Sequence, residues 1–277
     1  MASRKVLVVA NETAGGAQLV ARIRELAKEG DTSFALVVPQ TKPKSGGIVY
    51  LEAVRDAAKV RLDLARQTMA AAGIEMEGEV GDQDPFAAAM DAIAEFKPDE
   101  VLVSTKPVTV SGWLRRDLVE RIRTESGLPV EHVVVDLDRE GLEFEVTLVV
   151  ANETVGEQAL LDRLKAKAEE SDHLFVVLVP QAHGQGHAAR EARDRLAHTL
   201  AGFREAGLLC AGTIADPDPY VAITNALQSF TVTDIVISTF PETKSGWLRQ
   251  DLVERVANVS GKPVEHVVAE QQPAGTT

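Results

Sequence analysis

Ser111-Gly112-Trp113-Leu114-Arg115-Arg116-Asp117-Leu118-Val119-Glu120-Arg121 returns further along the chain as Ser245-Gly246-Trp247-Leu248-Arg249-Gln250-Asp251-Leu252-Val253-Glu254-Arg255. Taken from Ser111 to Val134 and from Ser245 to Val268, the two copies differ at six of 24 positions and share 18. Both run on into Pro-Val-Glu-His-Val-Val, starting at Pro129 and Pro263. A repeat this long means that the chain carries one structural unit twice. A helix kept only for packing needs its apolar stripe retained, not its Ser-Gly-Trp, Arg and Asp. Their retention points to a site or to a shared interface.

Outward from that stretch, short apolar runs alternate with helical patterns. Val6-Leu7-Val8-Val9-Ala10 and Phe34-Ala35-Leu36-Val37-Val38 are continuous apolar runs of the kind that form strands covered on both faces. Between them Gly15-Gly16 breaks the chain, and Leu19, Ile23 and Leu26 recur at helical spacing. Val49 to Ala72 reads as a long helix ended by Gly73. Ile74, Met76, Gly78 and Val80 alternate as a third strand, and Asp84-Pro85 opens a third helix with an N-cap and a proline at its first position. Val101-Leu102-Val103 is the fourth strand. The repeated stretch then reads as a helix that buries Leu114, Leu118 and Ile122, with Arg116–Glu120 and Asp117–Arg121 as solvated pairs four residues apart. Val130 to Val135 is the fifth strand.

The second half keeps this order. Ala10-Asn11-Glu12-Thr13 returns as Ala151-Asn152-Glu153-Thr154, an offset of 141, whereas Ser111 returns as Ser245, an offset of 134. The missing residues fall between the second and third strands, where loops vary in length. Domains are therefore expected at 1–138 and 142–277, joined by Asp138 to Gly141. Alternating strands and helices imply parallel strands with right-handed crossovers. The fold class is α/β: two tandem doubly wound five-stranded parallel sheets with helices on both faces.

Composition narrows the function. A net charge of −13 over 277 residues argues against nucleic acid and against anionic membrane surfaces. No apolar run nears the about 18 residues that span a bilayer. The single Cys210, in an alternating strand pattern, reads as a buried small hydrophobe and fits a reducing compartment. A cytoplasmic location is expected.

In doubly wound sheets ligands bind beyond the carboxyl ends of the strands, where the strand order reverses. Those ends carry Asn11 and Thr13 after strand one, and Ser104 and Thr105 after strand four. Ser111, the Gly112 amide and Arg115 open the repeated helix on the same rim and suit a phosphate or another anion. The parallel set is Asn152, Thr154, Ser238, Thr239, Ser245, Gly246 and Arg249. The plainer alternative makes Ser111 a helix cap and leaves Arg115 in solvent. Trp113 and Trp247, the only tryptophans, either staple the helix to the sheet or stack on a base. Asp82 and Asp216 reach the rim ahead of the N-caps Asp84 and Asp218, and would face a ribose or a metal. Lys42, Lys44, Gly46 and Gly47 are candidates for a phosphate-covering lid. His183 and His187 lack the carboxylate or cysteine that a metal site needs. His132 and His266 read as edge or interface residues rather than catalysts. No nucleophile–base–orienter set, Walker loop or Gly-x-Ser-x-Gly elbow is present, so a binding protein is expected rather than an enzyme.

The five-strand repeat, Gly81-Asp82 before the third helix, the small-residue turn after strand four and the closing Pro-Val-x-x-Val-Val resemble the universal stress protein family in its tandem form. The resemblance covers nearly the whole chain and implies the adenine-nucleotide alpha-hydrolase-like fold. It also implies an ATP or AMP ligand with Mg, adenine near Val38 or Val179, and the family's early Asp at the positions of Asn11 and Asn152. The family's phosphate motif is Gly-x-x-Gly, nine residues, then Gly-[Ser/Thr]. Here Ser104-Thr105-Lys106-Pro107 and Ser238-Thr239-Phe240-Pro241 hold no glycine, and Gly112 alone survives from the motif in the first half. The expected function is universal-stress-type binding of a nucleotide or related anion in stress adaptation or signalling, without efficient turnover. The alternative is a ligand-free interaction protein whose repeats pair as an internal pseudo-dimer through their fifth strands, with further homo-oligomerisation.

Overall fold

Each apolar run becomes a strand. The computed structural model describes residues 4–40, 51–107, 117–151, 154, 158–181, 187–241 and 251–269. The chain divides into two compact units, Met1–Glu143 and Phe144–Thr277.

In the first unit the order is β1 (Arg4–Val9), α1 (Ala17–Glu29), β2 (Thr32–Pro39), α2 (Leu51–Ala71), β3 (Met76–Gly81), α3 (Pro85–Phe96), β4 (Glu100–Thr105), α4 (Leu118–Ser126), β5 (Val130–Val134) and the short α5 (Leu137–Glu140). The second unit repeats it with β6 (Glu145–Ala151), α6 (Gln158–Glu170), β7 (His173–Pro180), α7 (His187–Glu205), β8 (Leu209–Ala215), α8 (Pro219–Ser229), β9 (Asp234–Thr239), α9 (Leu252–Ser260) and β10 (Val264–Val268). The sheets run β3-β2-β1-β4-β5 and β8-β7-β6-β9-β10. All pairings are parallel. The order reverses between β1 and β4, and again between β6 and β9, which makes these the switch points of the two units.

Alternation along the strands splits each core into two layers. In the first unit Val6, Val8, Leu36 and Leu102 pack with Leu19, Ile23, Ala58 and Leu62 of α1 and α2. Leu7, Val9, Val37, Val101 and Val103 face α3 and α4 with Ala88, Ala92, Leu118 and Ile122. In the second unit Val149, Val177 and Val236 pack with Leu160, Leu164, Ala192 and Leu196 of α6 and α7. A strand buried on both faces reads as a continuous apolar run because either parity of side chain has a helix to cover it.

The predicted signals for caps hold. Asp84 caps α3 by accepting from the Phe86 amide, and Asp218 caps α8 by accepting from the Tyr220 and Val221 amides, with proline next in both. Gly73, past the end of α2, has φ of 75°, a left-handed conformation that glycine adopts without a Cβ penalty. Cys210 is buried, and burial pushes its thiol up to about 11.

One expectation fails. The repeated stretch is not a continuous helix from Ser111 through Ile122, because α4 begins at Leu118 with Asp117 in the left-handed region at φ 48°. Asp251 does the same before α9 at φ 50°. A left-handed residue cannot continue a right-handed helix, and Asp tolerates that conformation better than most side chains. Arg121 consequently does not pair with Asp117. It lies over the Phe86 ring at 3.9 Å, as Arg255 lies over Tyr220 at 4.2 Å. Glu120 pairs with Arg123, and Arg116, its expected partner, lies outside the described residues.

The repeated Pro-Val-Glu-His-Val-Val also has a reason inside each unit. Arg22 of α1 grips Glu131 of β5 with two bonds, Nε to Oε1 at 2.7 Å and Nη2 to Oε2 at 3.0 Å. Arg163 of α6 reaches Glu265 of β10 at 2.5 Å. These carboxylate hydrogen bonds raise the pKa of both arginines. Each pair ties the first helix to the last strand of its unit. β5 and β10 are edge strands of their sheets.

Candidate functional site

At the carboxyl rim of the first sheet, the loop after β1 is knitted to the end of β4. Thr13 Oγ1 donates to the Ser104 carbonyl at 3.3 Å, and Thr154 Oγ1 donates to the Ser238 carbonyl at 2.9 Å in the second unit. Both threonines are buried. Their hydroxyls close the switch point between the first and fourth strands of each unit. Lys106 and Glu12 pair across the same gap in the first unit.

Two serines stand out at this rim. Ser104 is 0% and Ser238 1% exposed, and neither Oγ has a hydrogen-bond partner. By strand alternation each shares a face with the residue two before it, Leu102 and Val236, which belong to the cores under α1–α2 and α6–α7. A buried hydroxyl left unsatisfied costs about 1–3 kcal/mol. The same orphan at the same position in both units is therefore a repeated cost.

Asn11, buried at 5% exposure, uses its Oδ1 to accept from Arg61 Nη1 of α2 at 2.8 Å. α2 runs back from the rim, and helical side chains lean towards their own N-terminus. A mid-helix arginine can thus reach the rim. Burial lowers the Arg61 pKa to about 10, and the nearby Glu12 carboxylate raises it only in part. The guanidinium stays charged at neutral pH in surroundings that solvate it poorly. Arg195 occupies the matching place on α7, and its Nε is buried without a partner.

Thr105 and Thr239 point to the other face of their sheets. Thr105 Oγ1 donates to the Lys106 carbonyl at 3.0 Å, so His132 Nε2, 2.9 Å away, is the donor to it. Thr239 repeats this with the Phe240 carbonyl at 2.9 Å and His266 at 2.8 Å. Burial, then Arg123, lowers the His132 pKa. Asp82 Oδ1 accepts from the Asp84 amide at 2.8 Å and Asp216 Oδ1 from the Asp218 amide at 2.9 Å, so each shapes the turn ahead of its helix. The side chains of Val38 and Val179 are sealed in the core.

The described residues therefore bring Asn11, Thr13 and Ser104 together on one side of the switch point, and Thr154 and Ser238 on the other unit's. They place Thr105, Thr239, Val38 and Val179 in internal contacts. Asn152, Ser111, Gly112, Trp113, Arg115, Ser245, Gly246, Trp247, Arg249, Lys42, Lys44 and His183 lie outside the described residues. Among the described residues no group of three or more His, Cys, Asp or Glu side chains is placed to hold a metal ion, and no helix is long and apolar enough to cross a membrane. Arg61 and Arg195 went unnoticed in the sequence. The signal was there: Arg-Leu recurs at the same 134-residue offset as Ser111 and Ser245.

No protein-family profile matches the chain, and no curated protein matches it. Solved structures do. A universal stress protein in complex with cAMP is 17% identical over 48% of this chain and 98% of its own, with a TM-score of 0.35. A universal stress protein from Archaeoglobus fulgidus DSM 4304 is 16% identical over 96% of each chain, with a TM-score of 0.37. The functionally unknown protein PA1789 from Pseudomonas aeruginosa PAO1 is 17% identical over 97% of this chain and 93% of its own, with a TM-score of 0.31. The strand order and the repeat define the class to which this chain belongs: two doubly wound five-stranded α/β units in tandem. Universal stress proteins are among the solved structures it is similar to.

Proposed function

We propose that the chain is a universal-stress-type binding protein. It takes an adenine nucleotide or a related small anion at the strand-carboxyl rim and serves stress adaptation or signalling without efficient turnover. The observation that supports this is the rim itself. Both units keep a buried hydroxyl with no internal partner, Ser104 and Ser238, beside the loop after the first strand. Folding alone would favour an apolar residue there, whereas a ligand that supplies the missing bond turns the cost into affinity.

Calorimetric titration of nucleotide-stripped protein with ATP, AMP and cAMP, with and without Mg, tests the reading. Saturable heat with at least one of the three is expected, together with no steady release of phosphate from ATP. A flat trace for all three on folded protein would remove the nucleotide reading and leave the interaction-protein alternative.

A further inference from the structure

We propose that the segment after β5, residues 136–143, is a strap that keeps the first unit's rim closed over Ser104, so that ligand entry and release of the strap are coupled. This rests on the ligand reading above and names the regulation of that site. The need for movement comes from Ser104 itself. Its hydroxyl is 0% exposed, so a ligand reaches it only if the chain over it shifts. What lies over this end of β4 is the loop after β1. Thr13 of that loop donates to the Ser104 carbonyl. Ala10 and Ala14, at either side of the turn, belong to the same core layer as Leu102 and Val135.

The loop joins α1 through Gly15 and Gly16, the kind of joint at which a chain swings most readily. The strap is bound to both sides of it. On the loop side Leu142 bridges antiparallel to Gly16, and the Glu143 amide donates to the Gly15 carbonyl at 3.1 Å. On the helix side Glu143 Oε1 accepts from Arg24 Nη1 of α1 at 2.6 Å. A Cβ on Gly16 would run into Val135 Cγ1, so the joint is packed directly on the chain that becomes the strap. The start of the strap is anchored: Val135 is fully buried, its amide donates to the Thr105 carbonyl at 2.8 Å, and Leu137 packs on the same core. Its end is held by backbone bonding and a partly exposed ion pair, contacts that open locally at low cost. A joint held shut in this way lowers the apparent affinity by the fraction of the time it is open. By linkage, a ligand that holds the joint open weakens the strap by the same factor. The strap ends where the second unit begins, so occupancy of the first rim is carried into the chain that enters that unit.

The test loosens the strap in one variant of the full chain and locks it in another, with AMP binding read by calorimetry. Arg24→Gln with Glu143→Gln removes the ion pair and keeps the shapes of both side chains. Gly15→Cys with Leu142→Cys provides the lock, since a Cβ on Gly15 would lie 3.7 Å from Leu142 Cδ2. The disulfide forms on oxidation and opens with reductant, so the difference between the two states belongs to the first unit alone. The loosened variant is expected to melt lower and yet bind AMP about two- to fivefold tighter, a combination that mere loss of structure does not give. The oxidised lock should lose first-unit binding, and reductant should restore it. Oxidised protein that binds AMP as the reduced protein does, or a loosened variant that binds no tighter than the wild type, would overturn the strap while the ligand reading stands. If neither the wild type nor the loosened variant binds AMP, ATP or cAMP, the ligand reading falls and the strap with it.

Discussion

Replacing Ser104 by alanine should make the protein more stable, and the size of the gain can be worked out. The hydroxyl is 0% exposed with no partner, so its removal recovers about 1–3 kcal/mol of unsatisfied desolvation. Losing one oxygen leaves a void of about 10–20 Å³, which costs about 0.2–0.5 kcal/mol at the slope found for core cavities. The net expectation is a gain of about 1 kcal/mol or somewhat more, and the same for Ser238→Ala in the second unit. For domains of this size that corresponds to a rise of about 2–4 °C in the unit's melting temperature. Differential scanning calorimetry and urea titration measure it directly. Ser126→Ala is the control with the opposite sign. Its Oγ donates to the Ile122 carbonyl at 2.6 Å and accepts from the Leu128 amide at 3.2 Å, so its loss should cost about 1 kcal/mol. A fall of 2 °C or more on Ser104→Ala would refute the reasoning, since it would mean that the hydroxyl already has a stabilising partner in the unliganded protein.

Other consequences concern the frame that holds the rim. His173 is stacked on Phe175, its Nε2 lies 3.0 Å from Thr147 Oγ1, and it sits near the Lys167–Asp234 pair; burial, then Lys167, lowers its pKa. His132 is lowered in the same direction. As pH falls through the ordinary value of about 6.5 the unfolded chain takes up a proton that the folded chain refuses, so stability is level above that point and declines below it. Urea midpoints between about pH 7.5 and 5.5 should show this decline, flattened by His173→Gln and His132→Gln; an unchanged slope in both would contradict it. Gly212→Ala should destabilise by about 1–3 kcal/mol, because its Cβ would lie 2.5 Å from the Val177 carbonyl oxygen. Gly202→Ala in α7, with nothing within 4 Å, should instead gain about 0.5–1 kcal/mol; equal signs for the two would show that the packing of α7 on β8 is misassigned. Asp117→Gly and Asp251→Gly should be neutral or stabilising in denaturant titrations, whereas Asp117→Val should cost about 1–2 kcal/mol, since only glycine adopts φ near 50° without strain. Similar losses for the glycine and valine variants would rule out the left-handed junction.

The sheet was legible because its signal is local and redundant. Val6 to Ala10 and Phe34 to Val38 are apolar without a break, and Asp84-Pro85 and Gly73 punctuate the helices as their chemistry requires. The break at Asp117 was not legible. In the sequence Leu114, Leu118 and Ile122 keep a helical spacing of four across it, and an aspartate between the first two reads as a solvated position until its φ is known. Arg61 was hidden for a related reason: α2 carries Arg55, Arg61 and Arg66 among alanines and leucines, and periodicity does not say which arginine reaches back to Asn11. Lys167 is a case where closer reading had something to find. It follows Leu160 and Leu164 at helical spacing, on the buried face of α6, where a lysine demands a partner, and that partner is Asp234 at 2.6 Å. Glu131 and His132 were retained in both copies for the Arg22 clamp and the Thr105 bond, contacts between residues 109 and 27 apart that no local pattern announces.

The most direct measurement of the central claim is a crystal structure of the full chain grown with AMP. The account predicts the nucleotide at the carboxyl rim of at least one unit, with a polar atom within hydrogen-bond distance of the Ser104 or Ser238 hydroxyl. Nucleotide density elsewhere, with both serines still without partners, would contradict it.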